Sequence, residues 1–108
     1  MKRIDVAVLT LAALLAVVLS LPQAAHAQAA ADLFKSKCVM CHAADGTGSK
    51  VGKTMGAHDF TTPDVQKMSD AALTDTITNG KNKMPKYADK LKPEEIKGLV
   101  AYIRTLKK

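Results

Sequence analysis

Tryptophan is missing from these 108 residues, and Phe34, Phe60, Tyr87 and Tyr102 are the only large rings. An interior packed from side chains alone would be thin, so another source of apolar bulk is expected at the centre. Cysteine occurs twice, at Cys38 and Cys41. Two are too few for a disulfide framework, and closing so short a loop removes little unfolded-state entropy, so the pair is not a structural staple. Proline is also sparse, with none between Ala43 and Thr62. No stretch alternates apolar and polar residues as a half-buried strand does, and no repeat or low-complexity linker is visible. The chain reads as all-α with long connections.

The N-terminal residues do not read as part of that fold. Lys2 and Arg3 precede a nearly unbroken apolar run from Val6 to Leu21, followed by Pro22 and Ala25-His26-Ala27. This is the three-part layout of a secretory signal. The expected division is a signal peptide over 1–27, cleaved after Ala27, and one domain over 28–108. The alternative is an uncut membrane anchor, against which the apolar run of 16 residues falls short of the about 20 a spanning helix needs; once the signal is cleaved, no stable membrane insertion is expected. The implied location is the periplasm. Removing 27 of 108 residues leaves 81, one small domain that is marginal by itself and is expected to be a monomer. The formal charge of +6 becomes +5 without Lys2, Arg3 and Asp5. Such a surface suits acidic partners, and nucleic acid is not an expected partner of an exported chain.

Three regions carry helix signals. From Ala29 to Met40 there is neither Gly nor Pro, and Leu33, Phe34 and Lys37 fall at helical spacing, which predicts a helix ending near Cys41. Gly46, Gly48, Gly52 and Gly56 make 43–62 a loop with turns. Thr62-Pro63-Asp64 predicts a helix start capped by the threonine hydroxyl, and Ser69-Asp70 a second start. Asn79-Gly80 supplies the stop, so 63–79 reads as two short helices or one broken helix. Lys81 to Leu91 is a lysine-rich strap containing Pro85. Pro93, Glu94 and Glu95 open the best-defined helix, in which Ile96, Leu99, Val100, Ile103 and Leu106 follow the i, i+3, i+4, i+7 rule. Gly98 inside it costs about 1 kcal/mol relative to Ala.

The chemistry is concentrated in Cys38-Val39-Met40-Cys41-His42. Two cysteines three apart with histidine next are the pattern for covalent attachment of haem. On one helical turn both sulfurs share a face and can add to the two vinyl groups of a single haem, while His42 reaches the iron. The other nitrogen of His42 is expected to donate to a backbone carbonyl that fixes the ring. A thioredoxin-like pair would follow a strand rather than a helix. A zinc site would need a fourth ligand, for which only His58 remains. The second axial ligand must come from elsewhere, because Met40 is pinned between the two attachment points. Met55, Met68, Met84 and His58 remain, and Met84, before Pro85 in an irregular strap free to wrap the haem edge, is the expected one.

With these residues in place the chain resembles the class I cytochrome c family over residues 29–106. Cys38 to His42 is similar to that family's haem motif, Asn79-Gly80 through Met84-Pro85 to its methionine strap, and Leu99 to Ile103 to its terminal helix. The resemblance implies a cytochrome c fold of three to four helices around one covalent haem c, with Phe34 beside Tyr102 where the first and last helices cross. It also implies a single-electron carrier rather than an enzyme, with Cys38, Cys41, His42 and Met84 binding the cofactor and His42 and Met84 on the metal. Contacts with acidic redox partners would be transient, with Lys81, Lys83 and Lys86 around Met84 as steering charges. Lys53, Thr54 and His58 are candidates for the haem propionates. The alternatives are a haem-based sensor or peroxidase-like binder, and a fixed electron-entry subunit of an oxidoreductase complex. One departure stands out. Many members present the carbonyl that orients the histidine from a proline after the motif, and 43–62 contains none.

Overall fold

A computed structural model describes residues 23–108. The body of the expected signal segment lies outside them, and residues 23–29 are exposed, the first core residue being Ala30. Among the described residues the elements are α1 (23–37), α2 (Val39–His42), α3 (Lys50–Thr54), α4 (Pro63–Gln66), α5 (Asp70–Asn79) and α6 (Pro93–Thr105). There is no strand among them, only an isolated bridge between Lys81 and Met84. The fold is all-α, with α1, α5 and α6 as its longer helices and three single turns between them.

α6 is the backbone of the core. Ile96, Leu99, Val100 and Ile103 are buried, as their spacing predicts. Glu95 closes a capping box by accepting the Lys92 amide at 2.9 Å. α1 crosses this helix through Phe34, 1% exposed, whose ring centroid lies 4.9 Å from that of Tyr102. Gly98 sits at the same crossing, where an added methyl would meet only the Ala30 Cβ, at 3.4 Å. That is ordinary van der Waals contact, so Gly98→Ala is expected to gain helix propensity without a clash and to raise Tm by about 4 °C in thermal unfolding.

The corner before α5 is tied back to α6 by two polar side chains. The Gln66 amide donates to the Phe60 carbonyl at 2.6 Å and to Ile103 at 3.0 Å. Arg104 donates to the carbonyls of Gln66 and Met68 and to Asp70, so it satisfies carbonyls that the short α4 leaves unpaired. Ser69 caps α5 by accepting from the Ala72 amide, and α5 ends at Gly80 with φ +75°. Thr62 departs from expectation. Its hydroxyl donates to the Asp59 carbonyl instead of accepting from α4, because a turn begins at Asp59 and competes for it.

That turn has a twin. Asp59 accepts from the amide and hydroxyl of Thr61 at 2.8 and 2.6 Å, and Asp45 from those of Thr47 at 3.1 and 2.7 Å. The threonine hydroxyls first, then the amides, hold both carboxyls below the usual carboxylate range. Both turns are therefore fully tied above that range and loosen as pH falls through the lowered values.

The loop 43–62 also contains a helix that composition hid, α3. Ser49 supplies its cap, accepting from the Gly52 amide at 3.0 Å.

Candidate functional site: a cleft between the attachment helix and the methionine strap

Cys38, Cys41 and His42 occupy one helical turn, Cys38 being the N-cap of α2 and the other two lying inside it. A four-residue helix cannot hold its own shape, so its neighbours impose one. The Cys38 amide continues the ladder from α1 by donating to Phe34 at 2.9 Å, and His42 donates to Cys38 at 2.9 Å. At the far end the 48–49 segment satisfies three successive carbonyls. Gly48 donates to His42 at 2.9 Å, the Ser49 amide to Cys41 at 3.0 Å, and the Ser49 hydroxyl to Met40 at 2.6 Å. Gly52 then presses its bare backbone onto Cys41, so closely that a Cβ there would lie 1.8 Å from the carbonyl oxygen.

The His42 ring stacks on Phe60, with centroids 4.3 Å apart and planes 24° from parallel. Its Nδ1 is buried without a hydrogen-bond partner. The expected donation to a backbone carbonyl is thus not fully formed, although the His58 backbone acts on the ring as an acceptor would. Burial lowers the His42 pKa, the neighbouring His58 lowers it further, and the His58 backbone opposes both. The ring is consequently neutral at pH 7, the form that offers a lone pair to a metal. A buried nitrogen held no better than this is costly.

Burial pushes the Cys38 thiol up to about 11, with Lys37 opposing and Cys41 adding to the shift. A thioredoxin-like cysteine needs the reverse, a stabilised thiolate. Among the described residues no group of three or more His, Cys, Asp or Glu is placed to hold a metal ion, so the zinc reading lacks its ligand set.

Met84 reaches the same cleft from the strap. Lys81 and Met84 exchange backbone hydrogen bonds at 3.1 and 2.9 Å, and Tyr87 and Ala88 donate to Ile77 and Thr78, each at 3.1 Å, which docks the strap on the end of α5. The tight turn needs Gly80, where a Cβ would meet the Met84 carbonyl at 2.7 Å. The Tyr87 hydroxyl donates to the Lys37 carbonyl at 3.4 Å, linking the strap to the end of α1, and burial raises its pKa.

Between these walls lies a cleft of about 280 Å³, lined by Cys38, Cys41, His42 and Met84 together. Phe60, Val65, Leu73, Ile77 and Ile103 supply apolar wall. Met55, Met68 and His58, the other ligand candidates, line it too, whereas Lys53 and Thr54 do not. Lys81 and Lys83 reach its rim; Lys86 does not, and pairs with Asp89 at 3.7 Å. Two thiols on one turn, a neutral imidazole and a thioether against an apolar wall fit a covalent haem. Sequence reasoning missed Phe60, Ser49 and Gly52. The capping serine three residues before a glycine was their only trace.

The family model described as cytochrome C oxidase, cbb3-type, subunit III matches residues 25–103. The chain is 38% identical over 73 residues to cytochrome c6 of Bryopsis maxima, covering 68% of this chain and 83% of that one. With cytochrome c6 of Nostoc sp. it shares 35% over 104 residues, 95% and 92% of the two chains. It is 33% identical over 82 residues to the cbb3-type cytochrome c oxidase subunit FixP of Azorhizobium caulinodans, covering 74% of this chain but 27% of that one. Among solved structures, a c-type cytochrome, KustC0563, superposes with a TM-score of 0.69 at 35% identity, over 72% of this chain and 96% of its own.

Proposed function

The chain belongs to the small monohaem class I c-type cytochromes, with one covalent haem c, and from that premise we propose that it is an exported, soluble electron shuttle with His42 and Met84 as axial ligands. Its family's role is electron carriage rather than catalysis. Cys38 and Cys41 form the two thioethers, and export directs the chain, cleaved after Ala27, to the periplasm. What supports this reading above all is the meeting of Cys38, Cys41, His42 and Met84 around one cleft, although Met84 stands far along the chain.

When bound, the haem supplies one-electron iron(III)/iron(II) exchange. The polypeptide sets the conditions for it. Stacking on Phe60 restrains the neutral His42 ring, and the backbone bonds of the strap restrain Met84, so little moves when the charge changes. A thioether ligand and the apolar walls both disfavour the more positive state and raise the potential relative to two imidazoles. With both ligands in place no position is open to gas or peroxide.

An absorption spectrum of both oxidation states with an intact mass tests the cofactor and the processing. A colourless product of bare-polypeptide mass, from a host competent in haem attachment, would sink the reading. Met84→Ala is expected to abolish the far-red sulfur-to-iron band, lower the potential and open the reduced iron to carbon monoxide. Retention of that band would move the ligand to Met55 or Met68.

Lys81 and Lys83 at the rim favour an acidic partner held briefly and salt-sensitively. Lys83→Glu is expected to slow reduction by such a partner about tenfold at low salt, and Lys86→Glu less, because its pair with Asp89 lies off the cleft. Equal rates at low salt would assign these lysines to a merely solvated surface. A second reading, an electron-entry subunit of an oxidase, draws on the family model and on FixP. A stable co-purifying oxidase complex would favour it.

A further inference from the structure

The His42 Nδ1 is buried with no well-formed hydrogen bond, only the pull of the His58 backbone, so the ring's orientation depends also on its own backbone and on Phe60. The backbone restraint converges on one side chain. The Ser49 hydroxyl donates to Met40 at 2.6 Å, with Cys41 3.3 Å away, while the same oxygen accepts from Gly52 at 3.0 Å. Its own amide adds the bond to Cys41. The last turn of the attachment helix is thereby bolted to α3, and Gly52 permits the approach.

Resting on the haem reading above, we propose that Ser49 is a positioning residue for the axial histidine, sharing the orienting task that a well-formed hydrogen bond to the ring would otherwise perform. A cap for α3 needs only the acceptor half of the hydroxyl. The donor half goes to the carbonyls of Met40 and Cys41 and acts on the segment that carries His42. Cap and clamp are therefore separable by substitution.

Ser49→Asp keeps a strong cap for the Gly52 amide but has no proton to donate; Ser49→Ala loses both functions; Ser49→Thr keeps both. The order and spread of the haem methyl resonances in the ferric holoprotein report the plane of the axial imidazole. We expect S49D and S49A to change that pattern and S49T to retain it, the lost bond raising the misoriented population about two- to tenfold. An unchanged pattern in S49D and S49A, even with a lower Tm, would overturn the proposal and leave Ser49 as a cap alone. Should S49D not mature, S49A against S49T decides between the same outcomes. A colourless wild-type chain would reject the haem assignment and this proposal with it, and is so distinguished from a failure of Ser49 alone.

Discussion

Replacing Cys38 and Cys41 together with alanine is expected to give a colourless chain with no cooperative unfolding transition. The reason lies in how the core is shared. Phe60, Val65, Leu73, Ile77 and Ile103 belong to the buried cluster and also line the cleft. Phe34 and Leu99 are the only large side chains below 2% exposure among the described residues. The chain alone already leaves each of these five no more than 9% exposed, so a group in the cleft adds contacts along the faces they turn to it. At about 24 cal/mol per Å³, leaving a cleft of about 280 Å³ without its filling costs about 7 kcal/mol, comparable with the roughly 5–15 kcal/mol that holds a small domain together. Differential scanning calorimetry and far-ultraviolet circular dichroism provide the check. A sharp, native-like transition in the double variant would show that side chains alone sustain the fold.

Gly52→Ala is expected to be the most damaging single substitution outside the attachment motif. The new Cβ would sit 1.8 Å from the Cys41 oxygen and 2.6 Å from its carbonyl carbon. Neither atom belongs to a flexible side chain, so α3 must withdraw from α2 and break the Ser49 bonds. Overpacking of this kind costs about 3 kcal/mol or more. The expected result is little mature holoprotein, with a Tm far below wild type in what is recovered. Gly56→Ala is the control. At φ +87° it carries backbone strain of about 1–2 kcal/mol, but nothing lies within 4 Å of its added methyl. If the two variants had equal Tm, the contact with Cys41 would have no energetic weight.

How much of this was legible beforehand depended on the kind of signal. α6 declared itself because proline, two glutamates and an apolar stripe agree over thirteen residues, and Ser69 with Asn79-Gly80 bracketed α5 in the same way. α3 did not, because Gly52 depresses helix propensity and Gly46, Gly48 and Gly56 surround it with turn signals. The serine cap and the contact with Cys41 make that turn helical, and the second of these is tertiary. Thr62 was misread for a similar reason, since its hydroxyl had two local partners and composition could not rank them. The attachment motif is readable because its chemistry demands adjacent residues. Met84 stood out through Pro85 and the irregular strap, although Met55 and Met68 line the same cleft. The restraint on His42 was not readable, since a backbone acceptor leaves no mark on residue identity.

The strap carries one more implication. Its course from Lys81 to Ala88 is drawn by main-chain bonds and by Gly80, none of which asks anything of the side chain at 84. That position behaves as a socket: exchanging its occupant alters what faces the cleft while the surrounding chain keeps its path. On the reading proposed above, electron affinity is thereby adjustable at a single codon while the strap keeps its main-chain course, the native thioether also packing against the core.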